Sequence, residues 1–119
     1  MDENNQRVRF MAAKTVLNDT PRRLLKKYRQ ALIKAGIPVK QMILFGSHAK
    51  GTAKPWSDVD VCIVSSLFGK NAFKEMVRLS KLTASVDTMI EPHPFSPGDL
   101  NDPYDSLAQE IRRYGKTII

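Results

Sequence analysis

The sequence predicts a small domain of the α/β class, in the α+β arrangement, and three observations support this. Amphipathic stretches with a repeat of about 3.6 residues predict helices, and short apolar runs bounded by glycine, proline or serine predict strands. Their order along the chain is helix, strand, strand, helix, strand, helix. The length of 119 residues suits one domain with its own hydrophobic core.

The strongest helix signal lies between Thr20 and Gly36. The stretch PRRLLKKYRQALIKAG places its apolar side chains on one helical face. Thr20 suits an N-cap, Pro21 suits the first helical position, and Gly36 suits a C-terminal cap. We therefore predict an amphipathic helix that begins at Pro21 and ends just before Gly36.

Two apolar runs follow this helix. The first, QMILF, covers Gln41–Phe45 and is stopped by Gly46. The second, VDVCIV, covers Val59–Val64, is rich in β-branched residues, and is stopped by Ser65 and Ser66. We predict two strands with buried faces that lie side by side.

The second half of the chain predicts a helix and then a strand. Apolar residues recur at helical spacing from Phe73 to Leu82. The stretch from Thr88 to Glu91 predicts a third strand, cut short by Pro92 and Pro94 because a proline has no backbone N–H to donate.

A last helix is predicted from Pro103 to Tyr114, closed by Gly115. Residues 1–20, with RVRFMAAKTVL in the middle, form either a helix or a loosely ordered arm, and their pattern does not decide between the two. We predict that residues 21–119 form the folded domain.

Composition limits the classes of function. Nineteen Lys and Arg against twelve Asp and Glu give a net charge of +7, which favours anionic partners such as nucleotides, RNA or an acidic protein. No stretch approaches the roughly 18 apolar residues of a membrane span, and MDENNQRVRF lacks the order of a secretory signal. We therefore expect a cytoplasmic protein. The single cysteine, Cys62, lies inside VDVCIV and is expected to be a small buried hydrophobe.

Two carboxylates stand where the second strand begins. Asp58 and Asp60 are two residues apart, so in a strand both side chains point to the same face. Their mutual repulsion is relieved if one carboxylate is protonated or if divalent cations lie between them, and oxygen ligands of this kind suit Mg²⁺. Gly46 and Ser47, at the end of the first strand, could bring backbone amides and a hydroxyl to phosphate oxygens. An Asp-x-Asp taken alone is more often a solvated turn or a helix cap.

The combination of these residues resembles a known family. Gly46 and Ser47, ten intervening residues, and then Asp58, Val59 and Asp60 are similar to the signature of the DNA polymerase β-like nucleotidyltransferase superfamily. The pattern GSxAxGxAxxxSDxD and the later segments IEPHPFSPGDL and YGKTII resemble its minimal nucleotidyltransferase family, of the antitoxin type. The resemblance covers about residues 21–119. It implies a small mixed sheet with helices packed mainly on one face.

The resemblance also implies an activity. Members transfer a nucleoside monophosphate from ATP or another nucleoside triphosphate to a hydroxyl, with two Mg²⁺ ions, in an in-line attack that releases pyrophosphate. Asp58 and Asp60 would bind the metals, and Gly46 and Ser47 would position the β- and γ-phosphates. Lys50 and Lys54 could add charge near the triphosphate, although solvated loop lysines are the more common case.

The family pattern includes a third carboxylate, and two residues are candidates. We favour Glu91 as a catalytic and metal-binding residue, because its apolar surroundings predict a strand beside Asp60, whereas Asp87 lies in a polar stretch typical of a turn. His93 would share the face of Glu91 only if the strand continued through the prolines, and a packing histidine is the more ordinary interpretation. Trp56 could stack on a base or pack against the sheet edge.

Two functions from different classes remain open. In the first, implied by the resemblance, the protein is an antitoxin that adenylylates a tyrosine of a partner RNase toxin with a helical HEPN domain. In the second, the same fold acts as a catalytically weak antitoxin by stoichiometric binding. A nucleotidyltransferase that modifies antibiotics is disfavoured, because such enzymes usually carry an added helical domain.

Overall fold

The computed structural model describes residues 19–119. The prediction made for residues 1–20 therefore lies almost wholly outside the described residues. Along the described part, helices and strands alternate through most of the chain. The elements are α1 (Pro21–Lys34), β1 (Gln41–Phe45), α2 (Ser47–Lys50), β2 (Val59–Val64), α3 (Ala72–Thr83), β3 (Ile90–Phe95), α4 (Pro97–Leu100), α5 (Ser106–Tyr114) and β4 (Lys116–Thr117).

The first helix forms as its sequence predicts. The Thr20 side chain accepts a hydrogen bond from the Arg23 amide at 3.3 Å, and Pro21 is the first helical residue. Gly36 lies just beyond the C-cap with φ +83°, and its amide donates to the Ile33 carbonyl at 3.0 Å. Local capping chemistry alone accounts for both ends of α1.

The four strands form one mixed sheet in the order β3-β2-β1-β4. β1 pairs antiparallel with β2, as predicted for neighbouring strands, and Phe45 at its end lies opposite Asp60. β3 runs parallel to β2 on the other side. The two-residue strand β4, which the sequence did not predict, adds to the free edge of β1.

The two longest helices cover the same face of this sheet, in agreement with the prediction. The Tyr28 hydroxyl of α1 donates to the Leu79 carbonyl of α3 at 2.7 Å, which joins the two helices above the sheet. Burial raises the pKa of Tyr28 above its ordinary value, so this hydroxyl keeps its proton. On the opposite face, Ala108 and Ile111 of α5 pack in a smaller cluster that includes Cys62.

The predicted end of the third strand is wrong. β3 does not stop before Pro92 but continues through both prolines to Phe95. The hydrogen bonds from the Val59 amide to the Met89 carbonyl (2.8 Å) and from the Ser65 amide to the Phe95 carbonyl (3.0 Å) mark the odd-numbered residues of β3 as those that bond to β2. Because β3 is an edge strand, the even-numbered prolines need no N–H, and proline is tolerated there.

The predicted start of the last helix is also too early. α5 begins at Ser106, after Asp105, whose carboxylate accepts hydrogen bonds from the Leu107 and Ala108 amides at 2.9 and 3.2 Å. This N-cap fixes the boundary, because a capping residue itself has an extended backbone. Pro103 and Tyr104 instead form a turn, and a separate short helix, α4, ends before them at Leu100.

The helix predicted from Phe73 to Leu82 forms as α3, and the two predicted apolar strands form as β1 and β2. Within residues 19–119, no helix is both long and apolar enough to cross a lipid bilayer.

Candidate functional site

The end of β1 turns sharply at Gly46, and the turn depends on glycine. Gly46 has φ +69°, a region that side chains strongly disfavour. A Cβ at this position would lie 2.3 Å from Oδ2 of Asp60, far inside van der Waals contact. The backbone therefore lies directly against the Asp60 carboxylate, and the absence of a side chain at Gly46 leaves room for that carboxylate.

Three side chains from two neighbouring strands meet beside this turn. Asp60 of β2 lies opposite Glu91 of β3, and Cys62 lies opposite His93, so alternation places all of these side chains on the sheet face that carries α5. His93 Nε2 lies 3.8 Å from Asp60 Oδ1. Asp60, Glu91 and His93 each offer one ligand atom, and these atoms lie within 4.8 Å of one another. We call this trio the Asp60–Glu91–His93 cluster.

The cluster is half open to solvent. The side chains of Asp60 and His93 are each 24% exposed, and Glu91 is exposed. The His93 ring packs edge-on against Phe45, with ring centres 5.1 Å apart and an interplanar angle of 63°. A substrate therefore has access from the side of Glu91, while Phe45 closes the inner side.

The composition of the cluster fits a divalent cation. Two carboxylates supply hard oxygen ligands, and His93 supplies an imidazole nitrogen. Within the described residues, His93 Nε2 is buried and has no hydrogen-bond partner. A buried nitrogen without a hydrogen bond next to two carboxylates is the environment that a bound cation would satisfy.

Asp58 lies in the loop before β2 and not in the strand itself. It immediately precedes β2 and is not one of the three cluster residues. The loop is held by the Ser57 side chain, which accepts from the Lys54 amide at 2.8 Å, and by His48 Nε2, which lies 3.3 Å from the Ser57 carbonyl. These contacts fix the residue before Asp58 against the turn that follows β1.

The other predicted phosphate-binding residues lie near the same turn. Ser47 is the first residue of α2, and its carbonyl accepts from the Thr52 amide at 3.0 Å. Lys50 Nζ lies 3.6 Å from Oε2 of Glu110 and 5.1 Å from the centre of the Tyr114 ring. Lys50 thus contacts α5, a contact that the sequence did not predict.

Asp87 occupies the turn before β3. Its Oδ1 accepts a hydrogen bond from the Met89 amide at 2.8 Å, and its own amide donates to the Thr83 carbonyl at 2.8 Å. Asp87 thus directs the chain into β3, whereas Glu91 lies opposite Asp60. Trp56 is 63% exposed, which argues against the packing alternative considered for it.

The sequence interpretation does not include His93 among the site residues. The sequence feature that indicates His93 as a site residue is its spacing of two residues from Glu91, which places both side chains on one face of a strand. Pro92 and Pro94 mask this signal, because prolines at alternate positions ordinarily end a strand. β3 can continue through both prolines because it lies at the edge of the sheet, where proline is tolerated.

Comparison with known proteins identifies the family. The sequence profile of the nucleotidyltransferase domain matches residues 23–102, which is more than half of the chain. The chain belongs to the nucleotidyltransferase domain family. The matched region of this nucleotidyltransferase domain contains Gly46, Asp58 and the whole Asp60–Glu91–His93 cluster. Among curated proteins, no sequence matches.

Solved structures share the same fold. A candidate nucleotidyltransferase from Sulfolobus solfataricus superposes with a TM-score of 0.60 at 16% identity, over 81% of this chain and 77% of that chain. A toxin-antitoxin structure with AMP-PNP gives a TM-score of 0.56 at 22% identity, over 87% and 73%. A variant of the toxin-antitoxin MntA-HpeT with two Asp-to-Glu substitutions gives 0.53 at 19% identity, over 79% and 70%. At these identities the similarity establishes the nucleotidyltransferase fold.

Proposed function

We propose that this nucleotidyltransferase domain transfers AMP from ATP to a hydroxyl group in a Mg²⁺-dependent reaction. The observation that carries the proposal is the Asp60–Glu91–His93 cluster, whose Asp60 carboxylate lies against Gly46 where β1 ends. Nucleotide transfer of this kind uses carboxylates to bind its metal ions, and the register of β2 and β3, which sets Glu91 opposite Asp60, supports this role for the two side chains.

Different residues are proposed to bind the metal ions and the phosphates. Asp58, Asp60 and Glu91 are the proposed ligands of two Mg²⁺ ions, which would neutralise phosphate charge. Gly46 and Ser47 bring backbone amides and a hydroxyl to the β- and γ-phosphates.

Lys50 supplies a positive charge at the edge of the proposed triphosphate site. Its ion pair with Glu110 is solvent-exposed, and such pairs contribute about 0–1 kcal/mol. Lys50 can therefore exchange Glu110 for a phosphate at little cost. In the proposed reaction, the residues of this site hold the triphosphate. The acceptor oxygen then attacks the α-phosphorus, and pyrophosphate leaves.

We propose that the acceptor is a tyrosine of a partner toxin, an RNase with a HEPN domain, and that the protein acts as its antitoxin. Two of the similar structures are toxin-antitoxin proteins, one of them with AMP-PNP. The exposed position of Glu91 also suits an acceptor presented by another macromolecule, because the site does not enclose a small molecule.

Intact-mass spectrometry of the toxin tests both parts of the proposal. After incubation with Mg²⁺ and ATP, the toxin should gain the mass of one or more AMP units from the wild-type protein and none from the Asp58→Asn variant. Digestion and fragmentation should place the added mass on a tyrosine. Neutralisation of the toxin at unchanged mass, equally well by both proteins, would instead establish stoichiometric binding.

A further inference from the structure

We propose that His93 is a metal ligand together with Asp60 and Glu91, and that this mixed site binds Mn²⁺ and Co²⁺ more tightly than Mg²⁺. The site is the one to which the proposed function assigns Mg²⁺. Only the catalytic role of the bound metal rests on that proposed function; the ligand assignment does not. β2 and β3 bring the three proposed ligands together.

The distances suit one shared ion. In proteins, nitrogen and oxygen ligands lie about 2.0–2.2 Å from a first-row divalent metal, so two ligands of one ion are about 3–4.4 Å apart. His93 Nε2 and Asp60 Oδ1 are 3.8 Å apart, and all three ligand atoms lie within 4.8 Å of one another. The upper separation of 4.8 Å exceeds this range only slightly, so small side-chain movements would bring the three atoms onto one ion.

Packing alone does not explain a histidine at this position. The ring already packs against Phe45, and this contact leaves Nε2 buried without a hydrogen-bond partner among residues 19–119. An unsatisfied buried polar group costs about 1–3 kcal/mol, whereas a phenylalanine would make the ring contact without that cost. Coordination of a cation removes the cost and gives the nitrogen a role.

The prolines that hide this strand in the sequence also hold its ligands in place. Glu91 precedes Pro92, and His93 precedes Pro94. A residue before proline is restricted to extended backbone conformations, so both ligands are confined to the β region even though they lie on an edge strand. The backbone of the two β3 ligands is thus set before any metal binds, which lowers the entropy lost on binding.

The chemistry of the ligands sets the metal preference. Mg²⁺ binds oxygen ligands almost exclusively, whereas imidazole suits transition metals and carboxylate also suits Mn²⁺. Replacing an oxygen ligand by a histidine nitrogen therefore shifts the preference away from Mg²⁺. We expect Co²⁺ and Mn²⁺ to bind at least tenfold more tightly than Mg²⁺.

Metal titrations of the full chain, without nucleotide or toxin, test the proposal. Co²⁺ is followed by its visible absorption, and Mn²⁺ by loss of the electron paramagnetic resonance signal of the free ion; Mg²⁺ is measured by competition. His93→Gln should weaken Co²⁺ binding at least tenfold, change the Co²⁺ spectrum, and alter Mg²⁺ binding less than twofold. His48→Gln removes the other histidine of the chain; because His48 contacts the loop before Asp58, the Co²⁺ affinity can fall in this variant, but the Co²⁺ spectrum should stay that of wild type.

A second variant guards against a loss of folding. His93→Phe keeps the aromatic contact with Phe45 and should unfold at the same or a higher urea concentration than wild type, yet lose the preference for Co²⁺ over Mg²⁺. Wild-type Co²⁺ affinity in His93→Phe, or the same change of the Co²⁺ spectrum in His48→Gln as in His93→Gln, would overturn the proposal.

The two proposals fail in different ways. A transition-metal preference that depends on His93, without any AMP transfer, would contradict the proposed function alone. AMP transfer with Mg²⁺, combined with metal affinities that His93→Gln does not change, would contradict the ligand assignment alone.

Discussion

Replacing Gly46 by alanine separates two roles of this glycine, the positive φ and the room that it leaves for Asp60. The matched control is Gly51→Ala. Gly51 has φ +77°, but a Cβ added there would have nothing within 4 Å, whereas a Cβ at Gly46 would lie 2.3 Å from Asp60 Oδ2. Both variants carry the strain of a side chain at positive φ. Only Gly46→Ala also pushes against a carboxylate of the site.

The expected magnitudes follow from these two contributions. A non-glycine residue at positive φ costs about 1–2 kcal/mol, so Gly51→Ala should lower the free energy of unfolding by that amount. In Gly46→Ala the Asp60 side chain must also leave its rotamer, which adds about 0.5–1.5 kcal/mol. Urea unfolding, with a slope of about 1–3 kcal/mol/M, resolves the difference as a shift of the midpoint.

Metal binding gives the second readout. Because the Asp60 carboxylate is displaced, Gly46→Ala should weaken Mn²⁺ binding at least tenfold, while Gly51→Ala should bind Mn²⁺ as wild type does. In the background of Asp60→Ala, the extra instability of Gly46→Ala should largely disappear, since the nearest carboxylate oxygen is gone. Equal stability losses in both glycine variants, or unchanged Mn²⁺ affinity in Gly46→Ala, would show that Gly46 does not make room for Asp60.

Three further predictions concern other parts of the fold. Burial raises the pKa of the Cys62 thiol to about 12, so iodoacetamide at pH 8 should label it only after unfolding; labelling of the native protein, seen by mass spectrometry, would contradict its burial. Partial burial raises the pKa of Glu75, but hydrogen bonds from the Asn71, Gly69 and Lys70 amides together lower it by more. The pKa of Glu75 therefore lies below its ordinary value. Glu75→Gln should therefore destabilise by about 1 kcal/mol at pH 7, with the loss fading as pH falls through the pKa of the folded state; equal urea midpoint shifts at pH 7 and pH 3 would contradict this. In a labelled-ATP transfer assay, Glu91→Gln should reduce transfer strongly and Asp87→Asn should not, because Asp87 caps a turn; the reverse ranking would contradict the placement of the site.

The strand boundaries that the sequence mispredicts share one physical cause. Proline in a strand is forbidden or tolerated according to where its missing N–H would point, and this depends on which edge of the sheet the strand occupies. The sequence of β3 contains no information about its neighbours, so Pro92 and Pro94 predict an end that the edge position removes. Similarly, the two-residue strand β4 exists only because β1 offers it a free edge.

Features that depend on near neighbours along the chain can be predicted from the sequence. The caps of α1, the two apolar strands and the turn at Gly46 all follow from short-range sterics and hydrogen bonds, and the spacing of Gly46, Ser47, Asp58 and Asp60 is enough to indicate the family. The sequence also predicts Glu91 in a strand beside Asp60, as the register shows it, but the continuation of β3 to His93 and the contact of Lys50 with α5 become known only from the folded chain. The reason is that parallel pairing joins strands distant in sequence, and its register is set by how the whole sheet packs between α1, α3 and α5.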